Sequence, residues 1–219
     1  MFKVEKFDLL LAIYILCIAV AELMGGKVFS ITQIGNFKLG ASVAIFVIPV
    51  IFSINDIIAE VYGKERARSI VRTGIFMVFL IFLFSALAII LPPSKRSPVP
   101  EEAYDAVFGK SLRISGASLI SFAIAELLDV LVFVKIKKAL GKSRLWLRNN
   151  LSNFISQFVD TVVFMFLAFY AFNRSFDDNF GFLLGIIVPY WLLKCVLSVI
   201  ETPFVYAGVK WLKSDIKKK

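Results

Sequence analysis

Apolar blocks of roughly twenty residues, cut from one another by short charged loops, dominate this chain and leave it few folds to adopt. The stretch from Thr73 to Ser94, bounded by Arg72 and Lys95, contains no ionisable residue at all. A helix rises about 1.5 Å per residue, so such a stretch crosses the ~30 Å hydrocarbon core of a bilayer. Read against turn and charge punctuation, the blocks give six candidate spans, at 8–24, 40–59, 70–91, 114–134, 150–172 and 182–206. With 59% apolar residues and a mean hydropathy of +0.82, the 219-residue chain is far too apolar for a soluble globule. The expected architecture is all-α: one polytopic transmembrane domain over residues 1–219, built from six helices.

Charge placement orients those helices. The formal charge of +9 would suggest a nucleic-acid partner in a soluble chain. Here the basic residues follow the loops instead. Lys3 and Lys6, Lys64 to Arg72, Lys135 to Arg148, and Lys210 to Lys219 supply 17 of the 25, all on one side, while the alternate loops hold seven. Basic loops stay in the cytoplasm, so both termini are predicted to be cytoplasmic and no nucleic acid is implied. Ala19-Val20-Ala21 resembles a signal-peptidase site, but cleavage there would leave five spans and spoil the alternation. Residues 92–100 read as an extended outer connection, and no internal repeat is evident.

Several chemistries are absent from the sequence. With no histidine, and with Cys17 and Cys195 each set inside an apolar block, neither a metal cage, a disulfide framework nor a His-based triad is available. Two Gly-Lys-Ser triplets, at 109–111 and 141–143, lack the upstream glycine of a phosphate-cradling loop, since Tyr104 and Ile136 occupy that position. No catalytic constellation or cofactor motif emerges, and an enzyme is not expected.

What the sequence does contain is a set of ionisable residues at membrane depth: Glu22, Asp56, Glu60, Glu126, Asp129, Asp160, Lys194 and Glu201. Each costs ~2.5–3.5 kcal/mol or more against hydrocarbon and therefore calls for an explanation. Asn150, Asn153, Gln157 and Asp160 share one helix face, as do Tyr190, Lys194, Ser198 and Glu201. Glu126 with Asp129, and Asp56 with Glu60, form shorter pairs of the same kind. Such stripes fit a common polar interior. They also fit architecture: Asp160 and Lys194 could neutralise one another, Asp56 and Glu60 could join the nearby basic residues at the inner surface, and Asn153 could bind helix to helix. The 23 phenylalanines read mainly as packing and lipid-facing residues.

Four stretches carry a resemblance: Asp56-Ile-Ile-Ala-Glu-Val-Tyr-Gly63 with its basic follow-on, Leu128-Asp129-Val130 with Phe133, Trp146-Leu-Arg-Asn-Asn150 through Ser156, Gln157, Asp160 and Thr161, and Tyr190 with Lys194. Together they resemble the queuosine precursor transporters, also called the vitamin uptake transporter family. The resemblance implies a cell-membrane importer of 7-deazaguanine bases such as preQ0 and preQ1, precursors of the queuosine in tRNA. It also implies a helical fold similar to the substrate-binding subunits of energy-coupling-factor transporters. A substrate-binding subunit for another vitamin-like molecule, energised by a separate module, is the alternative.

On that resemblance the substrate-binding residues are Asp56, Asn150, Gln157, Asp160 and Lys194. Carboxylates accept from the N–H edge of a guanine-like base, amides read its carbonyl, and Lys194 balances charge. Glu22, Glu60, Glu126, Asp129 and Tyr190 are candidates for coupling or gating. Glu22 stands where many relatives carry a neutral asparagine. It could complement a cationic aminomethyl arm, titrate, or pair with Lys27. The expected partners are a small deazapurine, the bilayer, and a second copy or an energising module.

Overall fold

The computed structural model describes residues 4–34, 37–94, 98–140, 145–200 and 202–216, with the side chains of 33–39, 64, 126–127, 129–153, 197–202 and 215–216 left aside. Among the described residues, seven helical segments and one hairpin follow in order: α1 (Lys6–Met24), β1 (Val28–Ile34), β2 (Phe37–Ser42), a 3-10 turn (Val43–Phe46), α2 (Ile48–Tyr62), α3 (Lys64–Ile90), α4 (Glu101–Leu140), α5 (Leu145–Phe169), α6 (Phe176–Ile200) and α7 (Thr202–Ile216). Among the described residues, five segments are long and apolar enough to cross a membrane: Lys6–Met24, Val43–Tyr62, Glu65–Ile90, Glu101–Ala125 and Phe176–Val196. A shorter apolar stretch, Phe154–Phe169, lies on α5. The protein is therefore a helical multi-pass membrane protein, as its hydropathy predicts.

Two boundaries differ from expectation. The second span does not start at Gly40. Residues 28–42 form an antiparallel hairpin, paired from Val28↔Ser42 to Ile34↔Phe37 with an irregularity between Ser30 and Thr32. The signal for it is local, a Gly-Asn dipeptide between two β-prone runs. The fourth helix begins at Glu101, well before Ile114, because hydropathy detects only the part of a helix that lies in lipid. In the sixth span the described helices run to Ile200 and on from Thr202, with Glu201 between them outside the described residues.

Between α2 and α3, Gly63 adopts φ +88°, a left-handed conformation that side-chain-bearing residues resist, and so breaks one helix from the next. Lipid supplies no hydrophobic drive between helices, so close packing has to hold the bundle. Leu10, Tyr14 and Ile18, one turn apart on α1, interlock with Ile54, Ile57 and Ile58 of α2 and with Ile70 and Val78 of α3. Gly74 permits the α1–α3 approach: a Cβ there would lie 2.8 Å from Ile18 Cδ1 and 3.0 Å from the Tyr14 hydroxyl.

The hairpin is anchored on α6. Ala41, fully buried, packs with Leu183, Ile186, Ile187 and Tyr190 of α6 and Met165 of α5. On the same side of the molecule Arg113 of α4 donates through Nε to Leu167 O at 2.7 Å and through Nη2 to Tyr170 O, capping the end of α5. At the other end α7 lies along α2 and the start of α1, where Lys6 Nζ donates to Trp211 O at 2.7 Å and to Ser214 Oγ at 2.6 Å.

Candidate functional site

Helices α1 to α6 all contribute to one half-open cavity of about 250 Å³, close to the lower end of the ~300–1,000 Å³ typical of small-molecule sites. Each helix presents residues three, four or seven apart, which share a face. From α1 come Ile18, Ala21 and Glu22; from α2, Ile48, Ile51 and Phe52; from α3, Val78. On the other side α4 supplies Ile114, Ser118, Ser121 and Phe122, α5 supplies Asp160, Thr161, Phe164 and Met165, and α6 supplies Tyr190 and Lys194. Ser42 and Ala44, where the hairpin meets the second span, complete the wall.

The polar groups divide into three sets. Lys194 Nζ lies 3.1 Å from Asp160 Oδ2 and donates to Thr161 Oγ1 at 3.0 Å, joining α6 to α5. This mutual neutralisation, read in the sequence as an architectural possibility, forms on the cavity wall itself. Tyr190 donates its hydroxyl to Ser42 O at 3.2 Å. Non-helical backbone within a membrane protein must be satisfied by protein, and this bond meets that need at the end of β2, as does the Ser42 hydroxyl, which donates to Gly25 O and accepts from Ala44 N at 3.2 Å.

The third set is Glu22. Its side chain is 7% exposed, and the Ser115 and Ser118 hydroxyls of α4 lie beside it. Among the described residues, neither its Oε2 nor Ser115 Oγ finds a hydrogen-bond partner. Lys27 is exposed in the turn beyond α1 and forms no ion pair with it. Arg68–Glu65, at 2.7 Å, and Lys194–Asp160 are the ion pairs seen among the described residues.

The cavity thus gathers Glu22, Asp160, Tyr190 and Lys194 from the expected residues. Asp56 is exposed and outside the wall, one helical turn beyond Phe52 on the same stripe of α2; Glu60, also exposed, is a turn further. Gln157, half-buried, is one turn before Asp160 and Thr161, and its carbonyl accepts from Thr161 Oγ1 at 2.8 Å. Glu126 and Asp129 fall on α4 and Asn150 on α5, with side chains outside the described residues, as is Glu201 altogether. The sequence reading missed Phe52, Phe122 and Phe164, because nothing in a run of phenylalanines distinguishes a cavity wall from a lipid face. Phe122 also borders a second recess, lined by Ala59, Ala67, Arg68, Val71, Arg72 and Ile75. Phe122 therefore borders both the central cavity and a groove carrying two guanidiniums.

Fold and cavity together define a class: a multi-pass helical membrane protein whose helices line a small cavity of polar and aromatic groups. Residues 42–208 match the family model described as "Putative vitamin uptake transporter". The chain is 31% identical to the "Probable queuosine precursor transporter" of Bacillus subtilis (strain 168) over 180 residues, 82% of this chain and 76% of the relative. It is 23% identical over 174 residues to the protein of the same name from Haemophilus influenzae, 80% of this chain and 70% of that one. The chain belongs to the vitamin uptake transporter family, that of the queuosine precursor transporters. No solved structure matches it.

Proposed function

We propose that the protein is an importer of queuosine precursors in the cell membrane, taking 7-deazaguanine bases such as preQ0 and preQ1 into the central cavity and exposing that cavity alternately to the two sides. In this reading six segments cross the membrane, α5 among them, and both termini are cytoplasmic. The observation that carries the reading is the Asp160–Lys194–Thr161 group on the wall of a cavity with aromatic sides, in a chain whose relatives are named for this transport. A guanine-type base offers N–H donors and a carbonyl on one edge, and flat faces above and below.

Asp160 accepts from the base edge, Lys194 balances its charge and reaches the carbonyl, and Phe52, Phe122 and Phe164 contact the ring. Asp56, Gln157 and Asn150 lie toward the cytoplasmic end of the same helix faces and meet the base as it leaves. Tyr190 holds the hairpin end against α6, so a movement of α6 is felt at Ser42. Glu60, Glu126 and Asp129 serve coupling or gating on the inner side.

The test is a binding screen of the purified full chain against preQ0, preQ1, queuine, guanine and several vitamins, followed by uptake into liposomes. Binding of a deazaguanine with transport by the chain alone supports the proposal. Binding without transport favours a substrate-binding subunit that needs an energising module, and preference for an unrelated vitamin refutes the substrate assignment.

A further inference from the structure

Among the described residues, the cavity wall is not electrically balanced. The ammonium they supply, that of Lys194, is engaged by Asp160 and Thr161, and the second acid, Glu22, has no cation in contact. Burying an ionised carboxylate without a partner is among the costliest arrangements a protein can hold, more so in a bilayer. Hydroxyls such as Ser115 and Ser118 supply dipoles but no countercharge. The Glu22 carboxylate, its Oε2 shut away from solvent and without a hydrogen-bond partner among the described residues, belongs to the wall of a ligand-sized space. The complementary group is a donor that carries positive charge and arrives with the ligand.

We infer that Glu22 is the specificity-determining residue of this cavity: it pairs with a primary ammonium on the ligand, so that this chain selects a flat base bearing a cationic aminomethyl arm over one whose arm is neutral. The inference rests on the transport reading above and adds to it the charge of the preferred substrate. The division of labour follows from position. Asp160 and Lys194, neutral as a pair, read the edge that both kinds of base share. Glu22 comes from α1, a different helix, and reads the substituent in which they differ. An asparagine at this position would offer hydrogen bonds to either arm and discriminate little.

The experiment uses two probes on the purified full chain, preQ1 with its ammonium arm and preQ0 with its neutral nitrile, and compares wild type with Glu22→Gln. The ratio of preQ1 to preQ0 affinity is expected to fall at least tenfold in Glu22→Gln, with preQ0 binding retained as proof of an intact fold. An unchanged ratio, with both probes still bound, overturns the inference and leaves the transport reading standing. Binding of neither probe by the wild type overturns both. Should Glu22→Gln bind neither, Glu22→Asp decides: the acid is kept there, so a retained preference for preQ1 supports the inference and a lost preference overturns it.

Discussion

Replacing Lys194 with methionine tests the centre of the cavity most directly. The substitution keeps a long unbranched side chain and deletes two contacts, the 3.1 Å ion pair with Asp160 and the 3.0 Å bond to Thr161. Removing one partner of a fully buried pair costs ~3–5 kcal/mol, mostly because the other charge is stranded. Lys194 is well buried at 11% side-chain exposure, but Asp160, at 30%, borders the cavity and keeps some access to water. The expected loss is therefore smaller, about 2 kcal/mol. Asp160→Asn should lose about 1 kcal/mol, because the amide oxygen still accepts from the ammonium. Combining the two restores neutrality, so the double variant should be more stable than the sum of the single losses by about 1–2 kcal/mol. Denaturation of the detergent-purified variants measures these quantities, and uptake of labelled precursor measures function. The double variant should be folded and inactive, having lost the groups that read the base. Additive losses would refute the pairing argument, and full uptake by Lys194→Met would refute a role for the ammonium in transport.

Three further perturbations bear on neighbouring elements. Tyr190→Phe removes one donor from Ser42 O, which still accepts from the first turn of the 3-10 segment, and should cost about 0.5–1.5 kcal/mol in the same denaturation assay; an unchanged stability would mean that the hairpin end is held by other means. Gly74→Val forces a side chain to within contact of Ile18 and Tyr14, and overpacking of ~1–3 kcal/mol should lower the yield of inserted protein, whereas a normal yield would deny the close α1–α3 approach. Phe122→Trp enlarges the ring that borders both the cavity and the Arg68–Arg72 groove. It should slow liposome uptake several-fold while binding stays within about twofold of wild type; equal loss of both would mark Phe122 as a packing residue.

The parts of this molecule that were legible in advance are those where the bilayer makes a residue expensive. Asp160 and Lys194 are conspicuous because charge inside an apolar run has to be answered, and the structure answers it by pairing them. Helix count and helix extent are less legible, because hydropathy reports contact with lipid while hydrogen bonding decides where a helix stops. The charged stretch from Glu101 to Arg113 is thus helical although charged residues interrupt its apolar ones. The hairpin was not read from the sequence, where Gly35-Asn36 is its only local signal, and its place in the cavity could not be, since Ser42 enters the site through a backbone carbonyl that any residue possesses.

Glu22 lies between these cases. Its expense was visible in the sequence, but three outlets stayed open to it, and only the three-dimensional neighbourhood closes one. Lys27 is out in the turn, Lys194 is occupied, and the hydroxyls of α4 bring no charge. A helix face that offers an acid to a cavity, with no compensating charge among the described residues, stores an electrostatic debt that a proton or a cation from outside can settle. Of the two, a cation carried on the ligand also makes the site selective, because a neutral competitor of the same shape then enters with that debt unsettled.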